Sequence, residues 1–504
     1  MDAHMDSRAV PATGGRIAAA RATLTGLLPL ALAQFVCSYA GSNMNVAINS
    51  IATDIGTTVH GVQTVITLFT LTMAALMIPG SKLTDIWGRR FCFVTGLTVY
   101  GLGALIASFA PNLGVLMFGY SLLEGVGSAL LIPPVYILIT VNFTNLDIRA
   151  KAFGIVSAAA GIGAAAGPLI GGLITSTISW RASFIFQVLL VAAILVLSRR
   201  VIDHGIQGAK PRFDLFGAVL SALGLFFVVY GILLSGTYGW FIANQPFSIG
   251  GTVIIPQGGI SPVWLFVAIG AVFLVWFFIH IRNRERAGKE PLLSTRLFRN
   301  RTSNLGLVTQ NIQWLIMQGS FFVISVFVQT VRGYSAIQTG LLLTPTTIGL
   351  LLTASLAQRM ATRRAQPTLI RIGFAATVVG MLLLLLFARA DSGFFTYAIP
   401  LFLMGMGIGV MLTSSVNVVQ GAFPEKDQGE ISGLSRSVSN LGSALGTSIA
   451  GSILVVAVRP GNQEYALSFF VMLIIACIGL FAAILIPDSQ PVAQRSAQPS
   501  VQPS

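Results

Sequence analysis

The chain has 504 residues, of which 54% are hydrophobic and only 9% charged, and its mean hydropathy is +0.82. A soluble domain carries about 25% charged residues, so this composition excludes a soluble enzyme, a disordered chain and a disulfide scaffold, and points to a polytopic membrane protein. The net charge of +14 comes without the aromatic–basic clusters or zinc spacings of nucleic-acid binders, so no nucleic-acid partner is expected and the excess is read as topogenic.

Residues 1–23 form a polar, basic tail, and an uncleaved first helix follows it. Apolar stretches predict membrane helices near 24–48, 61–82, 91–110, 113–140, 150–174, 181–200, 214–236, 262–282, 304–330, 336–358, 368–388, 394–418, 431–456 and 465–487. These are fourteen stretches, most of them long enough to cross about 30 Å of hydrocarbon. Loop 237–261 has no charged residue but carries Trp240, Phe241 and Phe247, which suits the outer interface. Segment 283–303 is a charged cytoplasmic linker. The tail 488–504, rich in Gln, Pro and Ser, reads as disordered.

An even helix number places both termini on one side, and charge decides which. With the N terminus inside, 26 of the 30 Lys and Arg residues lie on the cytoplasmic side, and only Arg181, Arg332, Arg389 and Arg459 lie outside. The expected location is the plasma (inner) membrane, with both termini cytoplasmic. Cys37, Cys92 and Cys477 are far apart in sequence and read as packing residues rather than a disulfide or metal set. The histidines lack ligand spacing and no nucleotide-binding loop is present, so neither metal, cofactor nor enzymatic chemistry is expected.

A weak internal repeat links the loops after helices 2 and 10: both run from a serine (Ser81, Ser355) to an Arg-Arg pair at the same offset (Arg89-Arg90, Arg363-Arg364). It suggests two six-helix halves with helices 7 and 8 inserted between them. The expected organisation is therefore a half over 24–200, two inserted helices and the linker over 201–303, and a second half over 304–487.

The segment Gly80-Ser-Lys-Leu-Thr-Asp85-Ile-Trp-Gly88-Arg89-Arg90 resembles the helix 2–3 loop motif of the major facilitator superfamily, with Lys82 as one added residue. Gly80 and Gly88 permit close helix approach and a tight turn, and Asp85 can accept from nearby Arg. The resemblance implies a latch, formed by Gly80, Asp85, Gly88, Arg89 and Arg90, that biases an alternating-access equilibrium. Helix 5 carries Gly154, Gly163, Gly167-Pro168 and Gly171-Gly172, similar position for position to the antiporter motif of the family's drug/proton antiporters. Glycines four apart bare one helix face to a neighbour, and Pro168 permits a kink. Trp180-Arg181 and Leu441-Gly442-Ser-Ala-Leu-Gly446 also resemble family features, and the fourteen-helix drug/proton antiporter branch is the best match. The fold class implied is an all-α membrane protein with the major facilitator fold.

Two departures matter. The branch's acidic residue in helix 1 falls at Ala40 here, and its helix 4 Arg and Gln are replaced, with Glu124 in the Gln position. Glu124 is then the only acidic residue deep inside a predicted helix. An intramembrane carboxyl is expected to face a cavity or a partner, so Glu124 is the candidate for carrying a coupling proton; a structural, hydrogen-bonded acid is the plainer reading. Gln34, Ser38, Gly41, Asn45 and Asn49 recur at helical spacing in helix 1, as do Gln310, Gln313, Met317 and Ser320 in helix 9 beside Trp314 and Phe321. Gln34, Ser38, Asn45, Gln310, Gln313, Trp314 and Phe321 are thus candidates for a substrate cavity, with interhelical hydrogen bonding as the alternative. Asn43 should point off this stripe and serve as a neutral control. Glu430 and Arg436 are candidate partners of the helix 2–3 latch.

The function expected is proton-coupled export of an amphipathic small molecule by a monomer in the lipid bilayer. The alternatives are a lipid or metabolite exporter without proton coupling, and a receptor or scaffold that moves no cargo.

Overall fold

The computed structural model describes residues 13–142, 146–199, 203, 212–249, 252–360, 365–389, 392–424, 427–456 and 462–487. The tail 488–504, residues 1–12 of the N-terminal tail and the Arg363-Arg364 pair lie outside the described residues. Among the described residues fourteen long helical segments lie near the expected positions, except that α1 begins at Thr13, inside the expected tail: α1 Thr13–Asn43, α2 Val59–Trp87, α3 Arg89–Ser108, α4 Leu113–Asn142, α5 Leu146–Thr177, α6 Trp180–Ser198, α7 Leu215–Tyr238, α8 Pro262–Arg286, α9 Arg301–Thr330, α10 Ala336–Met360, α11 Gln366–Phe387, α12 Phe394–Gln420, α13 Gln428–Val456 and α14 Asn462–Ile484. Among the described residues twelve of these segments, all but α1 and α13, are long and apolar enough to cross a membrane.

Polar residues set many of the helix starts. Thr58, Ser179, Asp214 and Asn300 each cap an N-terminus with a side-chain oxygen. The α2–α3 connection is a single residue, Gly88, at φ 101°, a conformation that favours glycine.

The helices form two groups, α1–α6 and α9–α14. Their pairings match when helix n is exchanged for helix n+8: α1 packs on α5 as α9 packs on α13, and α5 packs on α10 as α13 packs on α2. Glycines set the first correspondence. A Cβ added at Gly163 would fall on the Phe35 carbonyl of α1, and one at Gly442 on the Asn311 carbonyl of α9. The inserted helix α7 lies across α2 and α13, one from each group, and α8 packs on α7.

Three local features depart from the sequence expectations. Loop 237–261 contains a small antiparallel hairpin, Phe247–Ile249 with Thr252–Ile255, in an otherwise helical protein. Its β-branched residues favour the extended form, and Phe247 packs on Tyr238 and Phe266. In α4, residues Met117–Glu124 are wound as a π-helix.

The third departure is at the end of helix 1, which does not run to residue 48. α1 ends at Asn43, and a 3-10 turn (Met44–Val46) and a short helix (Ile48–Asp54) continue the chain. A break at membrane depth frees backbone groups that must find partners. Side chains supply them: Tyr120 Oη donates to the Ala40 carbonyl (2.9 Å), Gln318 Nε2 to Gly41 O (2.7 Å) and Gln329 Nε2 to Asn45 O (3.1 Å). Gln329 Oε1 also accepts from the Asn49 amide at 3.2 Å. Gln329→Leu should therefore lower stability by about 1–3 kcal/mol, the usual cost of stranding buried polar groups. Thermal unfolding in detergent, with Thr330→Val as the comparison, measures it; an unchanged midpoint would refute the role.

Asp54, at the end of the short helix, accepts from Trp180 Nε1 (3.0 Å) and pairs with Arg181, whose guanidinium lies 4.3 Å over the Trp180 ring. The Trp-Arg pair thus ties the end of helix 1 to the start of α6.

Candidate functional site

Between the two helix groups lies a cavity of about 60 Å³. Helix 1 contributes Gln34, Cys37, Ser38, Gly41 and Ser42; α2 adds Phe69, Thr70 and Met73; α9 adds Trp314, Met317, Gln318 and Phe321; α13 adds Arg436, Ser439, Asn440 and Ser443. Drug-sized pockets measure roughly 300–1,000 Å³, so the groups must part to admit such a ligand. Arg436 is the charged residue of the lining. Its guanidinium lies 4.9 Å over the Tyr136 ring, and it donates to the Tyr136 hydroxyl.

Of the seven cavity candidates, Gln34, Ser38, Trp314 and Phe321 line this space. The other three do not. Gln310 donates to Ser439 Oγ (2.8 Å) and accepts from Ser435 Oγ (3.0 Å), and Gln313 accepts from Ser415 Oγ (3.1 Å). They bind neighbouring helices within their own group, as the alternative reading held. Asn45 sits in the turn beyond α1, fully buried. Asn43 lies off the cavity lining, but it is buried and donates to Ser183 Oγ at 2.9 Å, so its replacement is not silent.

The α5 glycines face two neighbours. A Cβ at Gly167 would collide with Ser42 Oγ, and one at Gly171 would stand 2.8 Å from Asn43 Cβ, both on helix 1. Gly172 instead faces the other group, where a Cβ would stand 2.6 Å from the Ala336 carbonyl. Next to it, a Cβ on Gly340 would fall on the Pro168 carbonyl. Ile337 N donates to Ser176 Oγ (2.9 Å) and Thr347 Oγ1 to Ala165 O (3.0 Å) along the same seam. The matching seam joins α2 and α13, where Gln63 Nε2 donates to Thr447 O (3.0 Å) and Ser448 O (3.3 Å). With the helix 1 contacts to Gln318 and Gln329, these seams close one end of the protein. Gly154 is part of α5 but takes no part in the contacts described.

At the opposite end, the α2–α3 connection meets α13. Gly80 lies against the Ala129 carbonyl of α4. Ser81 Oγ donates to Gly429 O (3.2 Å), and Lys82 pairs with Glu430 (3.6 Å). Glu430 is therefore a partner of this loop. Arg436 is not, because it turns into the cavity towards Tyr136. Asp85 lies in the field of Lys82 and Arg89 but makes no salt bridge across to α13. Lys82 is the added residue in the loop, and one extra helical residue turns those after it by about 100°; the contact across the groups falls to Lys82 itself. Arg90 binds the segment that follows α6, its amide donating to Asp203 Oδ2 at 3.1 Å.

Glu124 closes the π-helical segment of α4 and is fully buried. Among the described residues neither carboxyl oxygen makes a hydrogen bond within 3.5 Å, although the Tyr100 hydroxyl lies close by. The neighbouring Tyr100 hydroxyl is directed at Val36 O (3.3 Å) and Gln187 Oε1, and Tyr120 is committed to Ala40. Glu124 does not line the cavity. Cys37, which does, lies in electrostatic range of both Glu124 and Arg436. The tyrosines and Gln187 were not legible as its surroundings, because they come from helices distant in sequence.

The sequence and the fold both recur in known proteins. The family model of the Major Facilitator Superfamily matches residues 30–280, 247–447 and 307–503. The chain is 29% identical over 432 residues to the puromycin resistance protein pur8 of Streptomyces alboniger, covering 85% of this chain and 81% of that one. It is 27% identical over 496 residues to the cephamycin export protein CmcT of Amycolatopsis lactamdurans, covering 97% and 96%. A crystal structure of the peptide transporter POT in complex with sulfate shares the fold, with a TM-score of 0.63 and 15% identity over 92% of this chain and 94% of that one. The helices, the seams and these matches together establish that the chain belongs to the major facilitator superfamily, as a multi-pass membrane transporter.

Proposed function

We propose that the protein exports amphipathic small molecules by alternating access, exchanging them for protons carried on Glu124. The carrying observation is the cavity, shared by α1, α2, α9 and α13 and lined by amides, aromatics, methionines and one cation. Amides and aromatic faces suit a bulky ligand with polar and apolar parts. Arg436 in the lining favours neutral or anionic cargo over cations.

Relatives named for resistance or export support the outward direction. The bias of basic residues supports both termini in the cytoplasm of the plasma membrane. In that orientation the α5–α10 seam is the outer gate, and Gly80, Asp85, Gly88, Arg89 and Arg90 belong to the inner latch with Lys82 and Glu430. Gly154, Gly163, Gly167, Pro168, Gly171 and Gly172 make α5 the hinge-side helix of that gate. A single chain holds the whole path, so a monomer suffices.

Flux in proteoliposomes under an imposed pH gradient tests this reading, using neutral and anionic antibiotics and dyes. Uptake of cargo into acid-loaded vesicles should fall about tenfold when a protonophore collapses the gradient. Flux indifferent to the gradient would favour an uncoupled lipid or metabolite exporter. No flux for any cargo class would favour a receptor or scaffold.

A further inference from the structure

Along one face of α8 the exposed side chains run Val272, Val275, Ile279, Arg282 and Arg286. Their spacing of three and four keeps them in one stripe, apolar for three positions and cationic for two. Where the stripe turns cationic, the 3-10 turn Thr295–Arg299 comes back against it. Arg282, Glu285 and Arg286 of α8, with Thr295 and Arg299 of the turn, line an open groove of about 560 Å³.

Glu285 keeps its negative charge beside Arg299 and offsets one of the groove's three guanidinium charges, which leaves the groove net cationic. Its oxygens accept from Ser294 Oγ (3.0 Å), Thr295 N (2.7 Å) and Thr295 Oγ1, which fastens the turn to α8. The neighbouring Arg284 and Arg296 are paired with Asp214 (3.5 Å) and Asp427 (2.5 Å). Among the described residues, Arg282, Arg286 and Arg299 form no salt bridge. Three guanidinium groups therefore converge on one opening at the end of an apolar stripe.

We propose that this groove holds the phosphate headgroup of an anionic phospholipid, with an acyl chain along Val272, Val275 and Ile279. Guanidinium forks match phosphate oxygens in pairs, and basic pockets at a membrane surface collect anionic headgroups. The site also touches the latch. Ser294 N donates to Glu430 at 3.1 Å, and Glu430 pairs with Lys82 at 3.6 Å. A headgroup bridging Arg299 to α8 holds in place the segment that braces that pair.

The test is retention of phosphatidylglycerol by the full chain in native mass spectrometry, after reconstitution in phosphatidylcholine nanodiscs containing it. The variant Arg282→Gln/Arg286→Gln/Arg299→Gln should lose affinity about tenfold or more, whereas the charge-matched Arg212→Gln/Lys289→Gln/Arg301→Gln should stay within about twofold of wild type. Equal melting temperatures of both variants in pure phosphatidylcholine separate binding from folding, and Arg286→Gln alone should give a partial loss if the triple variant is unstable. Equal loss in both variants would overturn the proposal, as would inorganic phosphate competing as effectively as the lipid. The readout is binding, so it stands or falls independently of export.

Discussion

Gly172→Val should slow transport about 5–150-fold while leaving the yield of folded protein unchanged. The added Cβ would stand 2.6 Å from the Ala336 carbonyl and 3.3 Å from Ile337 Cα, atoms of the opposite helix group. Backbone atoms cannot rotate away as a side-chain tip can. Overpacking of this kind costs about 1–3 kcal/mol, and the cost is borne only when the two groups meet at this end. It therefore acts on the conformational equilibrium and lowers the sealed population about 5–150-fold. A cycle that must pass through that state slows to match.

Gly167→Val supplies the contrast. Its Cβ would meet Ser42 Oγ, which can rotate, but would also stand 3.1 Å from the Asn43 amide nitrogen and from Ser42 Cβ on helix 1, within one group, so both conformations bear the strain and folding suffers. Flux, folded yield by size exclusion, and crosslinking of cysteines at positions 176 and 337 distinguish the two. The expectation for Gly172→Val is normal yield, little crosslinking and little flux. Normal flux, or a loss of yield equal to that of Gly167→Val, would refute it.

Glu124→Gln should reduce gradient-driven flux to that of protein-free vesicles, with cargo affinity within about twofold of wild type. The carboxyl is fully buried, and among the described residues no cation pairs with it and no donor lies within 3.5 Å, the Tyr100 hydroxyl being close by but directed elsewhere. An unpaired buried charge costs several kcal/mol, and a proton on Glu124 removes it. Gln matches the shape and neutrality of the protonated acid but can never release a proton. Cargo counterflow without a gradient should therefore survive. Isothermal binding and paired flux assays check both halves of the claim, and driven flux at the wild-type rate would remove Glu124 from the mechanism.

Positions of the long helices were legible because hydropathy and basic residues report directly on the bilayer. The α5 and α13 glycines were legible because bare backbone has few uses other than close approach. What a helix face touches was less legible. Gln310 and Gln313 share a stripe with Trp314, yet they bind Ser435, Ser439 and Ser415 within their own group. A helix at the centre of such a bundle is surrounded, so periodicity cannot say which neighbour an amide meets. The partner of Asn43 was hidden for a related reason: its bond to Ser183 spans 140 residues of chain. The π-helical winding before Glu124 has no residue signature comparable to Pro or Gly, and the break after Asn43 depends on Gln329, which no local pattern reveals.

The seam at Gly172 and Gly340 is built from main-chain atoms, whereas the chamber wall is built from Gln34, Trp314, Phe321 and Arg436. Every amino acid presents the same carbonyl, so the closing surface keeps its shape when residues such as Ala336 or Pro168 exchange for others of compatible backbone. Mutations that remodel the chamber leave the closing surface untouched. Selection can retune which compounds are carried by altering one set of atoms, while the machinery that moves them is inherited intact in the other.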